Sequence, residues 1–209
     1  SIKYMGKEIS QLPEKELREL WGTGMAMIFQ DPMTTLNPVR RIGAQLTESL
    51  TVRLKLDKKE AHKQAIELLR RVRIADPEGM MRKFPYQLSG GMRQRIMIAI
   101  AISCNPKLLF ADEPTTALDV TVQAQILALL QTINRELGLA CVFVSHNLGV
   151  VRTIADRVAV MRRGEIVETG KTQAVFESPQ HPYTQALLAA IPDPSRIRSG
   201  KSLSSSDQP

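Results

Sequence analysis

Leu108-Leu109-Phe110-Ala111-Asp112-Glu113-Pro114 is the segment on which the fold of this chain turns. Its first four residues are apolar, the pattern of a strand buried on both faces in a parallel sheet. Two carboxylates and a proline then stop it. In α/β folds, ligands collect outside the carboxyl ends of such strands. An Asp there can hold magnesium, directly or through water, and the next carboxylate can orient or deprotonate an attacking water. A solvated strand end gives the same pair of acids, so the pair alone decides nothing.

More meaning comes from the segment upstream. Leu88-Ser89-Gly90-Gly91-Met92 opens a helical run through Arg93, Arg95, Ile96, Ile98, Ala99 and Ile102, which Asn105-Pro106 stops. Two glycines at a helix start leave bare N–H groups that suit an anion, and Ser89 adds a donor or caps the helix. Downstream, Asp119 is a good N-cap for a long amphipathic helix with Val122, Ile126, Leu129, Leu130, Ile133 and Leu137 on its apolar face, closed by Gly138. Residues 140–144 form another apolar strand, followed by Ser145-His146. Residues 25–29 form a third, bounded by Gly24 and Asp31-Pro32, with Gln30 at its end. His146 and Gln30 suit either a structural hydrogen bond or a γ-phosphate and its attacking water.

Between the strands, residues 42–74 turn helical. Ile42, Leu46 and Leu50 make one stripe, and Ala61, Ala65, Leu68, Leu69 and Val72 a second, with Asp57 a plausible cap between them. Later, residues 157–161 and 165–169 read as two strands turning at Arg163-Gly164. Apolar strands alternating with amphipathic helices predict an α/β core with a largely parallel sheet.

Composition bounds the partners. The formal net charge is +7, yet aromatics are only 4% and basic residues are scattered, so stacking platforms for bases are scarce. No run approaches the roughly 18 apolar residues of a membrane span. Cys104 and Cys141 sit in apolar runs without metal-ligand spacing, which predicts buried thiols. The start, Ser1-Ile2-Lys3-Tyr4, lacks an initiator Met and looks like the middle of a β-region, which predicts a truncated chain. A phosphate loop needs Gly-x4-Gly-Lys-Ser/Thr. Gly170-Lys171-Thr172 fails because Glu165 holds the first glycine position, and Gly200-Lys201-Ser202 fails at Ser195.

Taken in order, Gln30-Asp31-Pro32, Leu88-Ser89-Gly90-Gly91, Asp112-Glu113, Ala117-Leu118-Asp119 and Ser145-His146 resemble the ATP-binding-cassette ATPases across nearly the whole chain. The stretch Ser178-Pro179-Gln180-His181-Pro182-Tyr183 resembles the C-terminal extension of the oligopeptide, dipeptide and nickel importer branch. Met92 stands where many cassettes carry Gln, a variation this branch shows. Some members bind an iron–sulfur cluster through tail cysteines, but no cysteine follows Cys141.

The resemblance implies a P-loop NTPase-like α/β fold with a mainly parallel sheet and an inserted helical subdomain, lacking the first strands. It divides the chain into a core remnant at 1–36, a helical subdomain at 37–88, a motif-bearing core at 89–170 and an importer-type extension at 171–209. It implies ATP and Mg2+ as ligands. Glu113 is then the catalytic base, with His146 and Gln30 as catalytic partners. Ser89, Gly90, Gly91 and Asp119 bind nucleotide, and Asp112 and Gln30 hold the metal.

It further implies a second cassette, identical or not, and permease subunits fed by a solute-binding protein. The expected location is peripheral, on the cytoplasmic face of the plasma (inner) membrane, with no nucleic-acid partner. The phosphate loop is expected upstream of Ser1, so these residues alone should turn over little ATP. Competing readings are a cassette ATPase acting on DNA or ribosomes, which the positive charge suggests, and a degenerate scaffold cassette. The transported solute (peptide, nickel, glutathione or another) is not legible.

Overall fold

The computed structural model describes residues 1–31, 35–116 and 118–190. Contacts divide the chain into a first unit, Ser1–Val144, and a second that starts at Ser145. The first unit opens with a hairpin of β1 (Lys3–Tyr4) and β2 (Lys7–Glu8), which turns on Met5 and Gly6, both at positive φ. A polar helix, α1 (Glu14–Leu20), leads into β3 (Met25–Ile28).

The apolar stripes of the next segment become two packed helices, α2 (Ile42–Arg53) and α3 (Lys58–Arg71). Ile42, Leu46 and Leu50 are fully buried, as are Ala61, Ala65 and Leu69 of α3. Each large aliphatic side chain removed from water contributes about 1.5–3 kcal/mol. Asp57 caps α3 by accepting from the Lys59 and Glu60 N–H groups at 2.9 and 3.0 Å. Asp76-Pro77 starts a further short helix, α4 (Pro77–Met80), rather than merely ending α3. No side chain caps α2. Its first N–H groups go to backbone carbonyls, Ile42 to Lys83 at 2.9 Å and Gly43 to Met81 at 3.0 Å. That approach leaves no room for a side chain at position 43, where a Cβ would stand 2.7 Å from the Met81 oxygen.

A one-turn 3-10 helix (Pro85–Gln87) precedes α5 (Gly90–Ile102), and the chain then enters β4 (Leu108–Asp112). The long helix α6 (Val120–Leu137) ends on Gly138 in left-handed backbone, and β5 (Ala140–Val144) completes the sheet. The order is β3-β4-β5, all parallel. β4 is central, with Ile28 opposite Ala111 on one side and Val144 opposite Asp112 on the other. Leu109 points into a core shared with Ile98 and Ile102 of α5 and Ile126, Leu129 and Ile133 of α6, and Ala111 is fully buried.

β5 departs from the sequence expectation. Val142 and Val144 are 43% and 50% exposed, and Cys141 is exposed while Cys104 is buried. β5 has β4 on one side only among the described strands, and composition does not reveal how many neighbours an apolar strand has.

The second unit begins with α7 (Leu148–Ile154), followed by the antiparallel pair β6 (Arg157–Arg162) and β7 (Glu165–Lys171), which turns at Arg163 and Gly164 as read from sequence. Helices α8 (Thr172–Glu177) and α9 (Pro182–Ala189) follow. Val158, Val160 and Val175 form the small core, with Phe176, Tyr183 and Leu187 packed against it. Gly170-Lys171-Thr172 is the exit of β7 into α8, as the failed loop spacing implies. The segment before α9 is tied down by one side chain: Glu168 accepts from the Gln180 N–H at 2.8 Å and the His181 N–H at 3.0 Å.

The Gln180 amide leads the interactions that hold the Glu168 carboxyl below its ordinary value. A lowered native pKa means the anchor holds above the unfolded value and is lost as pH falls through the native one. Glu168→Gln should therefore speed hydrogen exchange at the Gln180 and His181 amides several-fold at neutral pH, while β6 and β7 stay protected. Unchanged exchange at those two amides would rule out the anchor.

Candidate functional site

Register builds the site. Ile28 pairs with Ala111, so two residues further on Gln30 comes level with Glu113. The two side chains meet there: Gln30 Nε2 donates to Glu113 Oε2 at 2.9 Å, although 83 residues separate them in sequence. The Thr116 hydroxyl donates to the same oxygen at 3.0 Å. Glu113 leaves the sheet abruptly. Its N–H still donates to Val144 O at 2.9 Å, but its φ is +43°, in the left-handed region. A non-glycine residue there costs on the order of 1–3 kcal/mol, and such strain gathers at functional positions. Pro114, with its fixed φ, suits the next position of the turn, which the Thr116 N–H closes onto Glu113 O at 3.3 Å.

Asp112 ends β4 half-buried, on the face it shares with Leu108 and Phe110, while Leu109 and Ala111 face the core. Among the described residues no three His, Cys, Asp or Glu side chains gather to hold a metal ion. Asp112 and Gln30 can supply at most part of an oxygen shell. A magnesium ion accepts this, because it keeps several waters and takes other ligands from substrate phosphates. Gln30 commits its Nε2 end to Glu113, which turns its carbonyl oxygen, the end a cation needs, the other way.

A second group gathers where α5 and α6 begin. Ser89 caps α5, its hydroxyl accepting from the Met92 N–H at 3.4 Å. Gly90 and Gly91 hold the first helical positions, where N–H groups have no intrahelical partner. The two helix starts press together. A Cβ on Gly91 would lie 2.7 Å from Val122 Cγ1, and one on Gly90 3.4 Å from Leu118 Cδ2. Asp119 caps α6 by accepting from the Val122 N–H at 2.9 Å, so its carboxylate has a structural task. Its predecessor Ala117 lies outside the described residues, as do Pro32 and the tail from residue 191.

His146 belongs to the second unit, in the exposed turn between β5 and α7. Ser145 Oγ accepts from the Asn147 N–H at 3.0 Å, and Asn147 in turn caps α7 through the Val150 N–H at 3.2 Å. The structure thus joins Gln30 to Glu113 and seats Ser89, Gly90 and Gly91 against the helix that Asp119 caps. Sequence reading passed over Thr115 and Thr116. The signal was present: a hydroxyl three residues after an acid, across a proline turn, can reach back to that acid.

Comparison with known proteins places the chain in a family. The family described as ABC transporter matches residues 1–116, more than half of the chain. The description Oligopeptide/dipeptide transporter, C-terminal region, matches residues 167–207. The oligopeptide transport ATP-binding protein OppD of Bacillus subtilis (strain 168) is 52% identical over 191 residues, which cover 91% of this chain and 53% of OppD. The glutathione import ATP-binding protein GsiA of Escherichia coli (strain K12) is 51% identical over 194 residues, 91% of this chain and 31% of GsiA. The chain therefore spans about half or a third of these relatives.

Among solved structures, the dimeric post-hydrolysis state of the ATP-binding cassette MJ0796, bound to ADP and Pi, superposes with a TM-score of 0.71 at 29% identity. It covers 81% of this chain and 72% of that one. The sheet, the helix insertion and the matched residues have one common explanation: the chain belongs to the ABC transporter family.

Proposed function

We propose that this chain carries the signature, magnesium-binding and water-activating segments of an ATPase subunit that drives import of short peptides. The observation that carries the reading is the Gln30–Glu113 hydrogen bond at the ends of adjacent parallel strands. It sets a carboxylate where α/β sheets bind ligands, next to an amide that reports the position of the segment leading into the helical insertion.

In this reading Glu113 takes the proton of a water as its oxygen bonds the γ-phosphorus and ADP leaves. Asp112 and the Gln30 carbonyl would hold a magnesium ion, which would supply positive charge against the phosphate oxygens. The N–H groups of Gly90 and Gly91 and the Ser89 hydroxyl face a nucleotide held by a second cassette, since helix starts favour anions. The names of OppD and GsiA support a peptide-sized solute.

An exposed patch on the helical insertion supports docking of a permease segment. Phe84 stacks on Tyr86 at 5.6 Å, the Arg41 guanidinium lies over Phe84 at 5.7 Å, and Val39 and Tyr86 are 80% and 65% exposed. Among the described residues no helix is long and apolar enough to cross a membrane. In this reading the subunit attaches peripherally through the patch, on the cytoplasmic side.

In the full-length protein, Glu113→Gln should lower ATP turnover by about 10²–10⁴-fold, the usual contribution of a general base, with nucleotide binding retained. Near-normal turnover would reject Glu113 as the base. Gly91→Ala drives a methyl into Val122 and should displace the start of α5, cutting turnover at least several-fold. Adding Val122→Ala should recover much of that loss. A double variant as poor as Gly91→Ala alone would show that the contact with α6 does not set the position of the signature segment.

A further inference from the structure

We infer that Thr116 is a positioning residue for Glu113, aiming its carboxylate through a side-chain hydrogen bond while Thr115 fastens the same turn to α6. The inference rests on the reading of Glu113 as the base. The two adjacent threonines divide the work. Thr115 is only 6% exposed, and its Oγ1 accepts from Gln123 Nε2 of α6 at 3.1 Å. Its carbonyl also accepts the Leu118 N–H at 3.2 Å. Thr115 therefore fixes the turn to the helix behind it.

Thr116 faces the other way. Its backbone N–H already closes the turn onto Glu113 O, so its hydroxyl is not needed to hold the chain. That hydroxyl goes instead to Glu113 Oε2, the oxygen Gln30 also reaches. A glutamate side chain has three rotatable bonds, so its orientation is set by the groups that bind its carboxylate. Two donors converging on one oxygen, from β3's end and from the turn, fix the plane of the carboxylate and hence the direction of its proton-accepting lone pairs. The Gln30 donor comes from the end of a different strand, whereas the Thr116 donor belongs to the same turn as Glu113.

The branched Cβ of threonine limits its rotamers, which favours this bond over free rotation. Valine keeps that shape without the hydroxyl, and serine keeps the hydroxyl without the methyl.

The test uses the full-length protein and compares Thr116→Val, Thr116→Ser and Glu113→Gln by steady-state ATP hydrolysis. Thr116→Val is expected to lower kcat about 3–10-fold, the worth of one hydrogen bond, with KM for ATP within twofold. Thr116→Ser should restore kcat to within about twofold, as it restores the donor. Wild-type kcat in Thr116→Val would overturn the inference. So would an equal loss in Thr116→Ser, or a loss that falls on KM or on the melting temperature, because either marks a packing role. Glu113→Gln separates the two levels of the argument. If it is nearly inactive while Thr116→Val is normal, only the role of Thr116 fails. If it is nearly normal, the reading of Glu113 fails with it.

Discussion

The parallel register of β3 on β4 is the constraint on which the rest depends. Because Ile28 lies opposite Ala111, Gln30 and Glu113 come level beyond the sheet and bond at 2.9 Å. A slip of one residue would bring Phe29 or Asp31 level with Glu113, and neither side chain can donate to a carboxylate at neutral pH. The bond lies in an exposed position and adds little to stability. Its worth is geometric. It ties the end of the strand that enters the helical insertion to the end of the strand that carries both acids.

The same logic places the second group. Ser89 and Asp119 each cap a helix, and the two caps stand at helix starts that touch through Gly91 and Val122. The glycine is needed for that closeness before any ligand is considered. The turn carrying Thr115 and Thr116 is fastened to the same helix α6 through Gln123. One long helix therefore backs both the signature segment and the turn that carries Glu113, so a displacement of its first residues is felt at both.

Local chemistry was legible in the sequence, and long-range pairing was not. Asp57, Ser89 and Asp119 announce their caps, and Gly138 its helix end, because each choice is settled within a few residues. The stripes of α2, α3 and α6 were legible because a 3.6-residue period needs no knowledge of the partner. Exposure of β5, and with it Cys141, depends on how many strands flank it, which periodicity cannot encode. The motif order singled out Gln30 and Glu113 separately, but their bond follows from a register that no local pattern states. Thr116 was missed for a related reason: a threonine after a proline reads first as turn chemistry, and only the left-handed Glu113 directs its hydroxyl to the carboxylate.

The most direct measurement is a double-mutant cycle on ATP turnover in the full-length protein, using Gln30→Ala, Glu113→Gln and the pair. If the amide acts through the carboxylate it touches, the double variant should lose little more than Glu113→Gln alone. Losses that multiply independently would contradict the claim that this strand-end contact is the working centre of the site.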